Sequence, residues 1–144
     1  MFSLHIETSI DIDASAEAIW AALTDFPAYN NWNPMLRDVK TQLGVGEKVT
    51  FSVMRTETKK LKLNAKITDL QPNQCLTWRG GHHWFLGGEH YFRIEPLDGK
   101  CRFHHGELFS GVLLPLAMPI LKDADALYAA MNNDLKRRVE EKPL

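Results

Sequence analysis

Between Gly88 and Phe109 the chain reads GEHYFRIEPLDGKCRFHHGELF, two alternating runs joined by Asp98-Gly99. Asp-Gly is a signature of a tight hairpin loop, and a period of two is what a strand with one buried face requires. With that loop as the turn, Ile94 stands opposite Phe103, Phe92 opposite His105 and His90 opposite Glu107 on the apolar face. The other face sets Tyr91 opposite Gly106 and Glu95 opposite Arg102, an opposite-charge pair of the kind cross-strand packing favours. One register therefore serves both faces. It also carries two imidazoles and a carboxylate onto the apolar side.

The same alternation extends in both directions. Phe2, Leu4, Ile6, Ile10 and Ile12 share one parity, which predicts a long first strand. Ser15 then suits a helix N-cap and Glu17 the first turn, with Ile19, Trp20 and Leu23 as the apolar stripe of a short helix over 16–25. Residues 25–34, with two prolines and three aromatics, read as a compact helical turn packed on the core. Val49, Phe51 and Val53 share a parity, as do Leu61, Leu63, Ala65 and Ile67 between Lys60, Lys62, Asn64 and Lys66. The hairpin turned at Pro72-Asn73 then places Ile67 opposite Trp78. Leu121, Ala124, Leu127, Met131, Leu135 and Val139 recur at three- and four-residue steps, predicting a helix from Ile120 to Glu141. At about 33 Å it matches an eleven-residue strand and would cover the sheet along one face.

Composition narrows the class. The 144 residues carry 17 Lys+Arg and 18 Asp+Glu, for a net charge of −1, with 44% hydrophobic residues. A chain of this size buries roughly two-thirds of its surface, enough for one core without disulfides or a structural metal. One domain over residues 1–144 is expected. The near-zero charge argues against a nucleic-acid partner. No apolar run reaches the length of a membrane span, and MFSLHIETSIDID lacks the basic start of a secretion signal, so a cytoplasmic protein is expected. Cys75 and Cys101 fall on strands separated by a third, too far apart for a disulfide.

Several chemistries find no support. There is no G-x-S-x-G elbow, and Gly80-Gly81 and Gly87-Gly88 lack the context of a phosphate loop. More in keeping with their neighbours, they bend the sheet or frame a loop, His82-His83-Trp84-Phe85-Leu86, that either caps the core or covers an opening. Adjacent strand residues point to opposite faces, so neither His82-His83 nor His104-His105 should chelate from one side; no metal and no cofactor are expected. The alternating lysines 60, 62 and 66 read as a solvated strand face, and Lys136-Arg137-Arg138 as cations suited to a helix C-terminus.

The inward His90, His105 and Glu107 are the informative residues. Buried ionisable groups are costly unless paired. They are either a satisfied structural cluster that pins the register, or a polar handle for a ligand at the end of an apolar pocket. An acid–base role is the third reading.

Four stretches, Ile12-Asp13-Ala14-Ser15-Ala16-Glu17-Ala18-Ile19-Trp20 with Leu23-Thr24-Asp25-Phe26, Tyr29-Asn30-Asn31-Trp32-Asn33-Pro34, Gly88-Glu89-His90-Tyr91-Phe92 and His105-Gly106-Glu107-Leu108-Phe109-Ser110-Gly111, resemble the START-like, or SRPBCC, superfamily. Within it, the chain looks like the polyketide cyclase/dehydrase and lipid-transport branch. The resemblance spans nearly the whole chain. It implies an α+β helix-grip fold: a curved seven-stranded antiparallel sheet around a long C-terminal helix, with two short helices after the first strand and an apolar cavity beneath the helix. It further implies binding of a hydrophobic or amphipathic small molecule, lipid or polyketide-like. Trp32, Phe51, Leu63, Trp78, Phe92, Phe103, Leu121, Leu127, Tyr128 and Met131 are then wall candidates, with His90, His105 and Glu107 orienting the ligand. The alternatives are a cyclase or dehydratase, with His90 or His105 as base and Glu107 as acid, and an interaction module whose cavity is filled. Monomer and dimer are both open.

Overall fold

In the computed structural model, which describes residues 2–141, alternation becomes one antiparallel sheet. Its strands are β1 (Ser3–Ile12), β2 (Leu36–Thr41), β3 (Lys48–Met54), β4 (Lys60–Gln71), β5 (Cys75–His82), β6 (Leu86–Leu97) and β7 (Lys100–Ser110). They lie in the order β1-β7-β6-β5-β4-β3-β2. Helix α1 (Ala16–Thr24), a 3₁₀ turn (Phe26–Ala28) and α2 (Tyr29–Trp32) connect β1 to β2, and α3 (Leu114–Leu121) and α4 (Asp125–Glu140) follow β7. This is the α+β helix-grip architecture.

The hairpin at Asp98-Gly99 has the expected register, including His90 opposite Glu107 and Phe92 opposite His105. The salt bridge expected across it does not form. Arg102 turns away from Glu95 to Asp11 of β1, Nε to Oδ1 at 2.7 Å, while Glu95 takes the ring of His104 at 2.9 Å. Arg102 has Asp11 as its neighbour on the opposite side, a third strand the hairpin alone does not reveal. In the preceding hairpin Ile67 faces Trp78, but nearer the turn Leu70 faces Leu76 and Gln71 faces Cys75, one residue out of step. Asn73 adopts a left-handed backbone (φ 66°), giving a longer loop than two residues, and a bulge between Ile67 and Asp69 restores the pairing.

Ser15 caps α1 as its sequence position predicts, its hydroxyl accepting from the Ala18 N–H at 3.1 Å. Asn33 has a comparable role below α2: its buried side chain accepts from the backbone N–H groups of Met35 and Leu36, at 2.8 and 2.9 Å, and turns the chain into β2. The C-terminal helix is not the continuous rod expected from Ile120 to Glu141. It is a 16-residue α4 preceded by the separate α3, with a break at 122–124. Pro119 removes one helical donor inside α3, and Asp123 and Asp125 suit the start of a new helix better than the interior of an old one.

α4 runs along β1: Asn132 reaches Thr8, Lys136 the carbonyl of Asp11, and Glu140 the N–H of Asp13. With α1 it closes a core of Ile12, Ile19, Leu23, Leu76, Phe92, Phe103 and Leu135, all fully buried. The inner residues of β4 nearest its start are left uncovered. Leu61 and Leu63 are 49% and 41% exposed although they share the parity of the buried Ala65 and Ile67. One end of the inner face is thus packed and the other is open.

The turn between β5 and β6 borders that open end. Trp84 and Phe85 are both 59% exposed, so their side chains do not cap the core. Their backbone instead receives the chain leaving β7, with Val112 N–H on the Trp84 carbonyl and Leu113 N–H on the Phe85 carbonyl, each at 2.8 Å. Nor do His82 and His83 diverge as on a regular strand. The turn begins there, and their rings stack with centroids 5.3 Å apart. Gly111 permits the crossing. Its φ is 131°, and a Cβ there would stand 2.1 Å from the Phe85 carbonyl oxygen. We expect Gly111→Ala to cost about 1–3 kcal/mol of stability, read from urea unfolding; an unchanged midpoint would show that this crossing is not constrained.

Candidate functional site

The inward polar residues meet in a continuous chain of hydrogen bonds under the start of α4. Glu107 Oε1 lies 2.8 Å from His90 Nδ1, and His90 Nε2 lies 2.8 Å from His105 Nε2. His105 Nδ1 lies 2.9 Å from Asn132 Oδ1 on α4. Asn132 donates its amide N–H to Thr8 Oγ1 at 2.8 Å, and the Thr8 hydroxyl donates to the His105 carbonyl at 2.6 Å. Tyr128, one helical turn before Asn132, donates its hydroxyl to Glu107 Oε1 at 2.7 Å.

Aromatic rings fix the planes of the imidazoles. His90 is stacked between Trp78 and Tyr128, with centroids at 5.4 and 5.5 Å and interplanar angles of 19° and 20°. His105 stacks on Phe92 at 4.8 Å. Burial, reinforced by the neighbouring His90, drives the pKa of His105 well below the ordinary imidazole value, so this ring is neutral. Burial and the Glu107 carboxyl push Tyr128 upward, which keeps its phenol protonated and donating.

The two ends of the network differ. His90, His105 and Asn132 are buried, and every ring nitrogen of the two imidazoles is engaged. Glu107 is different: its side chain is 16% exposed and Oε1 carries both of its hydrogen bonds. Oε2 has no partner among the described residues and lies over Gly88, where a Cβ would stand 2.2 Å from it. Gly88 is therefore the hollow into which the carboxylate folds, a role distinct from the sheet bend or loop frame read from the glycine pairs. Among the described residues no group of three or more His, Cys, Asp or Glu is placed to hold a metal. Both nitrogens of His90 are already committed to neighbours.

The remaining wall candidates sort by position. Trp78, Phe92, Phe103, Tyr128 and Met131 are buried around the network, and Phe51 packs on Trp78 at 5.3 Å. These fill the deep end. Leu121 and Leu127 are half-buried on α3 and α4, and Leu63 lies in the open end. Trp32 is not part of the cluster. It packs on Tyr29 and beneath Arg138, at the far end of α4. Thr8 and Asn132 escaped the reading of the sequence. Thr8 is the one polar residue among the inward positions of β1, and Asn132 follows Tyr128 at i+4, so both signals were present as interruptions of apolar patterns.

Two clefts, of about 280 and 490 Å³, flank the sheet elsewhere. The first lies beside Arg79, Glu89 and Leu108 of the outer parity and reaches Gly80 and Gly88; the second lies beside Lys40, Lys48, Thr50 and Lys62 of the outer parity and reaches Phe51 and Leu63. Neither contains a residue of the hydrogen-bonded chain.

A family model described as polyketide cyclase/dehydrase and lipid transport matches residues 3–140. Among solved structures, the chain is similar to the ZhuI aromatase/cyclase from Streptomyces sp. R1128, with 17% identity and a TM-score of 0.77 over 96% of this chain and 94% of that one. It is also similar to truncated norcoclaurine synthase from Thalictrum flavum, with 14% identity and a TM-score of 0.66 over 99% of this chain and 96% of that one. At these identities the likeness is one of fold. No curated protein matches the sequence.

The neutral His105 makes stability depend on pH. As pH falls through about 6.5, an unfolded chain takes up a proton at this imidazole and the folded chain does not, so stability is full above that value and declines below it. We expect the urea midpoint to fall between pH 7.5 and 5.5, and His105→Gln to flatten that slope. An equal slope in the variant would assign the effect to other groups. The half-buried Asp11 and Asp38, held at about 2 by Arg102 and Lys60 respectively, act only at far lower pH.

Proposed function

The chain belongs to the polyketide cyclase/dehydrase and lipid transport family, and from that membership we propose that it binds an amphipathic small molecule at the open end of the inner sheet face. The apolar body of the ligand lies along Leu61 and Leu63, beside Phe51, and its polar end meets Glu107. The observation that carries this reading is the free carboxylate oxygen of Glu107, on the same inner sheet face as the apolar Leu61 and Leu63, which no helix covers. Desolvation of the ligand's apolar surface, about 25 cal/mol per Å² before association costs, supplies most of the affinity. The carboxylate then sets its orientation. Because Trp78, Phe92 and Phe103 already fill the deep end, the ligand sits shallower than a cavity beneath the whole helix would place it.

A second reading, catalysis of a cyclisation or dehydration, is favoured by one specific feature. A carboxylate backed by an imidazole, with a tyrosine on the same oxygen, is equipped to hold a proton next to a bound substrate. The likeness to an aromatase/cyclase is compatible with it and extends to the fold alone.

Thermal-shift and equilibrium binding measurements against fatty acids, sterols and polycyclic aromatic compounds test the binding reading. At least one apolar class should raise the melting temperature. Leu63→Asp, a change at a half-exposed position, should weaken that ligand about tenfold or more while leaving the unliganded melting temperature within a degree or two. If no class binds, or if Leu63→Asp leaves the affinity intact, the proposed location is wrong. Turnover of a poly-β-keto substrate by the wild-type protein, lost in Glu107→Gln, would establish the catalytic reading.

A further inference from the structure

The hydrogen-bond chain has a direction, and one backbone group sets it. The His105 carbonyl can only accept, so the Thr8 hydroxyl 2.6 Å away must spend its proton there. Thr8 Oγ1 is then left to accept, and the Asn132 group facing it must be the amide nitrogen. This turns Asn132 Oδ1 toward His105, so Nδ1 of that ring carries the proton. The Tyr128 backbone carbonyl, also an acceptor, faces the same ring. Since the buried His105 is neutral, its Nε2 is a bare lone pair. His90 must therefore donate from Nε2.

Two states of the outer pair remain. Either His90 is doubly protonated and faces a Glu107 carboxylate, or His90 is neutral with a bare Nδ1 and Glu107 Oε1 carries the proton that bridges them. In both, one proton lies between His90 Nδ1 and Glu107 Oε1. In both, Oε2 presents only lone pairs. A proton on Oε2 would need either a lone pair of His90 facing a lone pair of Oε1, or a buried imidazolium with no counter-charge; both are disfavoured.

From this polarity we propose that the open end of the inner face selects ligands that bring a hydrogen-bond donor, such as a phenol, enol, alcohol or ammonium, to Glu107 Oε2, with Thr8, Asn132 and His105 as the positioning residues that fix the polarity. A ligand whose polar end is a carbonyl, ether or carboxylate meets an oxygen that cannot donate to it. The assignment rests on the binding site proposed above and goes beyond it by naming the ligand chemistry. It also reverses the roles expected from sequence: in any proton transfer, Glu107 receives through Oε2 and does not act as the acid.

Two measurements on the wild-type protein test this. Nitrogen-15 spectra of the histidine rings, assigned with His105→Gln and His90→Gln, should show His105 protonated at Nδ1 and bare at Nε2, with His90 protonated at Nε2. A His105 ring protonated at Nε2 would overturn the proposal without any ligand being involved. Equilibrium binding of 2-naphthol, 2-methoxynaphthalene and 2-acetylnaphthalene, which share one aromatic body, should favour the phenol by about tenfold or more over both others. Equal or tighter binding of the ether or ketone would overturn the donor requirement. If none of the three binds, the ligand class fails together with the binding reading, while the ring spectra still judge the network.

Discussion

Two imidazoles and a carboxylate stand on the inner face of one hairpin, and the surrounding structure is arranged around keeping the imidazoles buried and all three groups hydrogen-bonded. Burying such groups costs several kcal/mol each unless partners replace the lost solvent. The partners come from three elements far apart in sequence: Thr8 on β1, the β6–β7 hairpin itself, and Tyr128 with Asn132 on α4. Satisfying the network therefore fixes where α4 lies along β1 and which of its faces turns inward. The same bonds that solve the burial problem dock the helix.

The aromatic residues do a second job besides filling space. Trp78 and Tyr128 hold the His90 ring flat between them, and Phe92 supports His105. With both rings fixed in plane, their nitrogens have no freedom to seek other partners, and the polarity set at the His105 carbonyl is transmitted through to Glu107. This separates the inner face into a rigid, filled end and an open one, where Leu61 and Leu63 remain exposed. The proposed site draws on both ends, a preorganised polar group at the filled one and uncovered apolar surface at the open one, the combination that orients an amphipathic ligand.

Much of this was legible in the sequence. Alternation from Phe2 to Ile12 and from Lys60 to Ile67, the Asp98-Gly99 turn, and the Ser15 cap are local signals, and the structure follows them. So does the inward placement of His90, His105 and Glu107, because a period of two leaves no choice once the turn is known. Local signals miscarried where a third partner intervened. Arg102 chose Asp11 on the next strand over Glu95, and the helical stripe from Ile120 was cut by a break at 122–124. Trp32, aromatic and inward by composition, went to the far end of α4.

What the amino-acid sequence settled by itself is the set of strands, their register across the central hairpin, and hence which ionisable side chains had to be buried, since each follows from periodicity and turn chemistry within a few residues. Tertiary structure alone settled which partners those side chains found. That Thr8 and Asn132, 124 residues apart, would meet at His105 depends on the packing of α4 against β1. No local pattern encodes a contact between elements separated by most of the chain, so the direction of the hydrogen bonds, and with it the chemistry offered to a ligand, exists only in the folded molecule.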